Sequence, residues 1–250
     1  MPVHLKSARE IAGIRAAGRI AARALEAAHR AIRPGLSLKE LERTCAESIR
    51  SEGGSPTFLG YRGFPAAACV SVNEEVVHGI PTDRRLCEGD LVKIDVGVTR
   101  DGFIADMART FAVGEVDGAK RALAEATEAS FWAGCKAACP GNRVSDIGHA
   151  VQEFVEARGY SVVRELCGHG VGLELHEEPS IPNFGPSGQG VRLVAGMTLA
   201  IEPMVNAGGF AVRTLDNGWT VVAADGKPSA HFENTVLVTE NEPEILTEDV

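Results

Sequence analysis

The sequence has no long apolar segment. No uninterrupted apolar stretch is long enough to cross a membrane, and the first residues, which include His4 and Lys6, do not form the apolar run of a secretory signal. We therefore expect a cytoplasmic protein that does not interact with membranes.

Several common sequence signatures are also missing. No two of the six cysteines have the C-x₂-C spacing of a zinc ribbon or a redox motif. The glycines around His169 follow a G-x-G-x-G spacing, which is not the dinucleotide-binding fingerprint. His176 begins His-Glu-Glu-Pro, which excludes the H-E-x-x-H helix of zinc proteases.

Basic residues are too few to suggest a nucleic-acid surface. The chain has 25 Lys and Arg against 34 Asp and Glu, a net charge of −9. A nucleic-acid-binding domain normally carries a basic patch, so we expect no nucleic-acid specificity. An acidic protein can accommodate a substrate with a positive amino terminus. The 250 residues suffice for one domain with a substantial core.

Two amphipathic helices are indicated in the first part of the chain. Ser7 with Glu10, and Ser37 with Glu40, form capping-box patterns before apolar residues at helical spacing. The first helix is expected to end before Pro34-Gly35.

The pattern recurs roughly 106 residues later. Pro34-Gly35 corresponds to Pro140-Gly141, and a helical segment precedes each pair. Strands ending on Asp95 and Glu202 correspond in the same way. We interpret this as an internal duplication within a single catalytic domain, residues 1–250, with halves of approximately 1–112 and 113–250. Chance similarity between short amphipathic helices is the alternative.

Two carboxylates lie in a predicted β-hairpin. The segments on either side of Asp101-Gly102 read as strands, and this dipeptide is typical of a hairpin turn. With the turn centred just before Asp101, Asp95 lies directly opposite Asp106; a bulge would shift this by a residue or two. Two carboxylates this close repel each other, so one stays protonated or a cation lies between them. Acid pairs on exposed hairpins are also common without any function.

Three further residues complete a candidate metal set. Glu202 ends an apolar strand before Pro203, and Glu233 lies inside a strand-like segment. Taken singly, Glu202 and Glu233 are interpreted as edge-strand carboxylates that face water. The glycines flanking His169 permit close backbone approach. Four carboxylates neutralise two divalent cations, and oxygen ligands with one imidazole suit Mn²⁺, Fe²⁺ or Co²⁺ at least as well as Zn²⁺. The remaining lone histidines, His4, His29, His149 and His231, are interpreted as structural.

The order and spacing of these motifs resemble those of a known family over essentially the whole chain. The segments that carry the resemblance contain Cys69 and Asn73, His78, Lys93 to Gly97, Asp106 with Arg109, His169, His176 to Pro179, Glu202 to Met204, and Glu233 to Thr235. Together they are similar to type I methionine aminopeptidase in its short bacterial form. The resemblance implies an α+β pita-bread fold, with two pseudo-twofold-related α/β halves around a central antiparallel sheet.

The resemblance also implies roles for individual residues. Two divalent metal ions (Co, Mn, Fe or Zn) would be bound, with Asp106 and Glu233 bridging. Other positions of the family motif imply peptide contacts from His78 and His176, and a monovalent cation near Asn73 and Ser229. Leu175 stands where an aromatic residue is common in the family. The metal ligands would be Asp95, Asp106, His169, Glu202 and Glu233, and the pocket for the methionine side chain would be lined by Tyr61, Phe64, Cys69, Leu175 and Trp219.

The implied activity is removal of the initiator methionine from nascent proteins whose second residue is small. Water activated by the dinuclear metal site would attack, with Glu202 as general base. The substrate would be met at the ribosome by a monomeric enzyme. Two rivals are a proline-specific peptidase of the same fold, which generally carries an additional amino-terminal domain, and a non-catalytic binding module on the same scaffold.

Overall fold

The computed structural model describes residues 3–248, which form helices and short strands. The α-helices are α1 (Ala8–Ala31), α2 (Leu38–Ser51), α3 (Gly118–Lys136) and α4 (Val144–Glu156), and a 3₁₀ helix spans Tyr61–Gly63.

The strands of the described residues are numbered in chain order. They are β1 (Ser55–Pro56), β2 (Cys69–Val72), β3 (Glu75–Val77), β4 (Leu91–Arg100), β5 (Phe103–Ala112), β6 (Ser161–Val162), β7 (Cys167–Gly170), β8 (Glu177–Pro182), β9 (Thr198–Ile201), β10 (Met204–Asn206), β11 (Val212–Thr214), β12 (Val221–Ala223), β13 (Ser229–His231), β14 (Glu233–Leu237) and β15 (Glu244–Ile245).

An antiparallel sheet forms the centre of the molecule. Its strand order is β1-β4-β5-β14-β9-β7-β8, with β2 paired to β4 and β15 paired to β14. Two smaller sheets, β13-β10-β6 and β11-β12-β3, lie beside it. The mixture of helices with a central antiparallel sheet confirms the α+β architecture expected from the sequence.

The helices cover one face of the central sheet. Both predicted capping boxes are present, at Ser7 with Glu10 and at Ser37 with Glu40. The buried face of α1, which includes Ile14 and Leu25, packs with α2 against apolar side chains of β4 and β5. Burying each such large apolar side chain contributes about 1.5–3 kcal/mol. Helices α3 and α4 pack in the same manner beside β8 and β9.

The β4–β5 hairpin differs from the predicted register. Asp101 and Gly102 have φ values of 51° and 82°, as a two-residue type I′ turn requires. The turn is therefore centred between these two residues, and Asp95 pairs with Ala108 rather than with Asp106. The prediction of direct opposition was wrong by two residues. Since side chains alternate with period two, Asp95 and Asp106 still project from the same face.

Several local features match at the predicted offset between the two halves. Gly35 and Gly141 have φ values of 87° and 93°, and Gly53 and Gly159 have values of 77° and 78°. Isolated bridges join Ser37 to Arg85 and Arg143 to Arg192. These correspondences support an internal duplication. The single-domain boundaries 1–250 stay a prediction, and their first two and last two residues lie outside those described.

Among residues 3–248, no helix is both long and apolar enough to cross a membrane.

Gly18 lies where α1 closely approaches the backbone of the segment around Leu246. A Cβ at this position would overlap the carbonyl oxygen of Leu246, a backbone atom that cannot rotate away. We expect Gly18→Ala to destabilise the fold by about 1–3 kcal/mol, as overpacking does elsewhere. Thermal unfolding measures this as a Tm lowered by about 2–4 °C per kcal/mol.

Gly118→Ala is the matched control for that substitution. Gly118 opens α3, and a Cβ there meets no atom of the described residues within 4 Å. The control should be neutral or stabilising by up to about 1 kcal/mol. A Gly18→Ala variant as stable as the Gly118→Ala variant would contradict the packing argument.

Candidate active site

One cavity brings together the predicted metal ligands, the predicted peptide-contacting histidines and the predicted pocket residues. Sequence reasoning missed two of the residues that line it, Phe58 and Arg62, because neither belongs to a recognisable motif. The full lining is Phe58, Tyr61, Arg62, Phe64, Cys69, His78, Asp95, Asp106, His169, Leu175, His176, Glu202, Trp219 and Glu233.

The acidic end of the cavity is built from neighbouring strands. In the sheet order β4-β5-β14-β9-β7, each strand provides one candidate ligand, which lies either within the strand or directly after its last residue. The side chains that alternate with them, such as Ile94 and Val96, pack on the helical face. The candidate ligands therefore project from the opposite face: Asp95, Asp106, Glu233, Glu202 and His169.

His169 presents one ring nitrogen to the carboxylates. Its Nδ1–H donates to the carbonyl oxygen of Gly170 at 2.8 Å, which leaves the Nε2 lone pair free. Nε2 lies 3.6 Å from Glu202 Oε1 and 3.9 Å from Asp106 Oδ2. The flanking glycines allow this arrangement, since a Cβ at Gly168 would overlap the carbonyl oxygen of Ala200. The close backbone approach predicted around His169 is confirmed.

The buried carboxylates need a positive partner. Burial and the neighbouring carboxylates raise the pKa of Asp95, Glu202 and Glu233 well above the usual range. Within the described part of the chain, Asp95 Oδ1 and Glu233 Oε1 are buried without a hydrogen-bond donor. Orphaned carboxylate oxygens beside an imidazole lone pair are the donor set of a divalent cation, so these residues fit the bound metals that the resemblance implies.

Two groups of side chains have ligand atoms close enough to share an ion. Asp106, His169 and Glu233 form one group, and Asp95, His231 and Glu233 form the other, with atoms within 4.8 Å of one another. Glu233 belongs to both groups, whereas Asp106, for which the same bridging role is implied, belongs to one. His231, interpreted from the sequence as a structural histidine, lies beside the cluster.

Hydrogen bonds behind the carboxylates hold their strands in place. The hydroxyl of Thr235 accepts from the backbone N–H of Asp106 at 2.9 Å and donates to its carbonyl oxygen at 3.0 Å. The guanidinium of Arg109 donates to the carbonyl oxygen of Glu233 at 2.6 Å. These contacts fix β5 and β14, which carry the two predicted bridging residues.

His176 lies above the acidic cluster. Its ring centroid is 4.2 Å from that of His169, and its Nδ1 is hydrogen-bonded to the hydroxyl of Tyr61 at 2.8 Å. The carboxylate of Glu177 accepts from the buried ammonium of Lys6 at 2.6 Å and from the backbone N–H of Leu173 at 2.6 Å. The loop before His176 is thus tied to the amino-terminal segment.

The outer part of the cavity is largely apolar. The rings of Phe64 and Trp219 meet edge to face, with centroids 5.1 Å apart, and Leu175 is buried in the same cluster. Burial, with Asp95 close by, raises the pKa of the Cys69 thiol well above its usual range. The neutral sulfur and the rings form a wall suited to an apolar, polarisable side chain.

Asn73 and Ser229 lie outside the lining of this cavity. The backbone N–H of Ser229 donates to the carbonyl oxygen of Asn73 at 3.0 Å. The buried amino group of Lys93, whose pKa burial lowers to about 7, donates to the same oxygen at 2.7 Å.

Comparison with known proteins agrees with this geometry. The model of metallopeptidase family M24 matches residues 12–240. A methionine aminopeptidase of Clostridium perfringens is 50% identical, over 97% of this chain and 98% of that protein. The crystal structure of a methionine aminopeptidase from Thermotoga maritima is 44% identical with a TM-score of 0.98, covering 99% of this chain and 100% of that one.

The proline-specific peptidases, which are the rival interpretation, are less similar to this chain in sequence and structure. A prolidase from Pyrococcus furiosus is 27% identical with a TM-score of 0.81, and the match covers 98% of this chain but 66% of that one. The chain therefore has the pita-bread fold and belongs to metallopeptidase family M24 and, within it, to the methionine aminopeptidases.

Proposed function

We infer that the chain is a metal-dependent aminopeptidase that removes the N-terminal methionine of proteins with a small second residue. One observation carries this inference beyond family membership. A cluster of buried carboxylates with orphaned oxygens ends a cavity whose outer wall is aromatic and apolar. Such a cavity accepts a positive amino group and an apolar side chain at once.

Two divalent ions are proposed to be held by the carboxylate cluster. Asp95, Asp106, His169, Glu202 and Glu233 would be the ligands, with Asp106 and Glu233 shared. When bound, the ions would polarise the scissile carbonyl and lower the pKa of water. The donor set leaves Co²⁺, Mn²⁺, Fe²⁺ and Zn²⁺ as candidates.

The residues of the chain supply the remaining steps. Glu202 would take the proton of the attacking water and pass it to the leaving amine. His176, held by Tyr61, would donate a hydrogen bond to the developing oxyanion. His78, which has a φ of 58° and lines the cavity, would hydrogen-bond near the scissile nitrogen. Tyr61, Phe64, Cys69, Leu175 and Trp219 would enclose the methionine side chain.

The cellular setting is proposed from the resemblance to the methionine aminopeptidases. The substrate would be the amino terminus of nascent polypeptides at the ribosome, met by a cytoplasmic monomer without membrane or nucleic-acid contacts. A monovalent cation is proposed near Asn73 and Ser229, whose backbones are joined by a hydrogen bond of 3.0 Å.

The activity is tested with three peptides, Met-Ala-Ser, Met-Leu-Ser and Leu-Ala-Ser. Metal-stripped enzyme is assayed with and without added Mn²⁺, Fe²⁺ or Co²⁺. We expect metal-dependent cleavage of Met-Ala-Ser alone, because the pocket would enclose methionine and a tight site beyond the scissile bond would admit only a small second residue. Cleavage of all three would reject the proposed selectivity of the Leu175 pocket. No cleavage with any metal would favour the binding module.

His176→Ala separates catalysis from metal binding. The ring touches His169 and is proposed to act on the oxyanion rather than on an ion, so kcat should fall by about 10²–10³ with metal affinity nearly unchanged. Steady-state kinetics and calorimetric metal titration measure the two effects. His149→Ala, on the surface of α4, is the control. Equal losses of metal and activity would refute the assigned role.

Glu202→Gln tests the proposed general base. The amide cannot accept a proton and is a poorer ligand, so kcat should fall by about 10²–10⁴ and metal affinity should also weaken. The same two measurements apply, with Glu153→Gln on the exposed face of α4 as the control. Near-normal activity of the Glu202→Gln variant at saturating metal would remove Glu202 from the mechanism.

A further inference from the structure

His231 is an imidazole buried beside the carboxylate cluster. The residue is 1% exposed and ends β13 beside the carboxylate cluster. Within residues 3–248, neither Nδ1 nor Nε2 has a hydrogen-bond partner. A buried polar group without a partner is costly, so a native imidazole in this state calls for an explanation.

The backbone of His231 is held firmly. Its N–H donates to the hydroxyl of Thr110 at 2.9 Å, and its carbonyl oxygen accepts from the same hydroxyl at 2.8 Å. The residue also pairs with Met204 across the β10–β13 ladder. The ring is therefore presented from a fixed position on the sheet.

Nε2 of His231 faces the carboxylates. It lies 3.7 Å from Glu202 Oε2 and 3.7 Å from Glu233 Oε2. Ligand atoms of His231, Asp95 and Glu233 also lie within 4.8 Å of one another.

These distances distinguish a direct hydrogen bond between His231 and the carboxylates from joint binding of a metal ion. A direct N–H···O hydrogen bond spans about 2.7–3.2 Å, so 3.7 Å is too long. Two atoms that each lie about 2.0–2.2 Å from one ion can be separated by about 3–4 Å. His169, a ligand of the proposed centre, lies 3.6 Å from Glu202 Oε1 and 3.9 Å from Asp106 Oδ2. The distances from Nε2 of His231 to the carboxylate oxygens are therefore similar to those from Nε2 of His169.

We propose that His231 is a sixth protein ligand of the metal centre, binding one of the two ions together with Asp95 and Glu233. The inference rests on the proposed function, since it requires the dinuclear centre. It gives each ion one imidazole, from His169 for one and from His231 for the other. Imidazole favours Fe²⁺, Co²⁺ and Zn²⁺ over Mn²⁺, so His231 shifts the selectivity of its ion away from Mn²⁺.

Metal binding tests this proposal without reference to activity. Metal-free wild-type protein, His231→Gln and His231→Phe are titrated with Co²⁺ and with Mn²⁺ by calorimetry, and the Co²⁺ absorption spectrum is recorded. We expect the two variants to bind one ion about tenfold or more weakly. The loss should be larger for Co²⁺ than for Mn²⁺, and the absorption of that ion should change.

Two controls separate the possible failures. His149→Gln removes a histidine from the surface of α4 and should bind both ions like the wild type. Asp106→Asn alters the proposed centre itself. If Asp106→Asn loses metal while both His231 variants keep wild-type affinities and spectra, His231 is not a ligand and the centre stands. If Asp106→Asn also binds like the wild type, the proposed centre fails as well.

A measurement on the wild-type protein covers the case in which the His231 variants do not fold. Bound Co²⁺ shifts the proton resonances of coordinated imidazoles far from their usual positions. Two ions should produce two coordinated histidine signals, one from His169 and one from His231. A single coordinated histidine in the protein loaded with two equivalents would overturn the proposal.

Discussion

The repulsion among the buried carboxylates is the constraint on which the rest of the structure depends. Taking one ion out of water costs several kcal/mol, and gathering Asp95, Asp106, Glu202 and Glu233 on one sheet face adds their mutual repulsion. The apolar packing of the helices on the other face offsets part of this cost. Divalent cations supply the remaining compensation, so the feature that opposes folding is also the one that creates a metal site.

Local patterns in the sequence predicted the parts of the fold that local chemistry determines. The capping boxes at Ser7 and Ser37 were confirmed because a cap depends on residues three positions apart. The hairpin was located correctly, but its register was not, because Asp101 was not assigned a left-handed conformation. A shift of two residues preserves the face of each side chain, so the inference of paired carboxylates survived the error.

Residues brought to the site by long-range packing were not predictable in this way. Phe58 and Arg62 enter the cavity lining through the 3₁₀ helix and the segment before it, which carry no motif. Lys6 reaches Glu177 across 171 positions of sequence. Nothing in the segment around His231 distinguished it from an ordinary core histidine; only the pairing of β13 with β10 sets it beside Glu202.

The contribution of neighbouring strands to one cluster has a consequence for the lifetime of the protein. Asp95 and Glu233 are far apart in sequence but close in the sheet, so an ion bound between them would act as a cross-link that the unfolded chain cannot form. Binding to the native state alone adds to stability in proportion to the logarithm of free ligand concentration. Metal supply would thereby influence how often the chain opens to proteases, and starvation for metal would reduce the amount of enzyme as well as its activity.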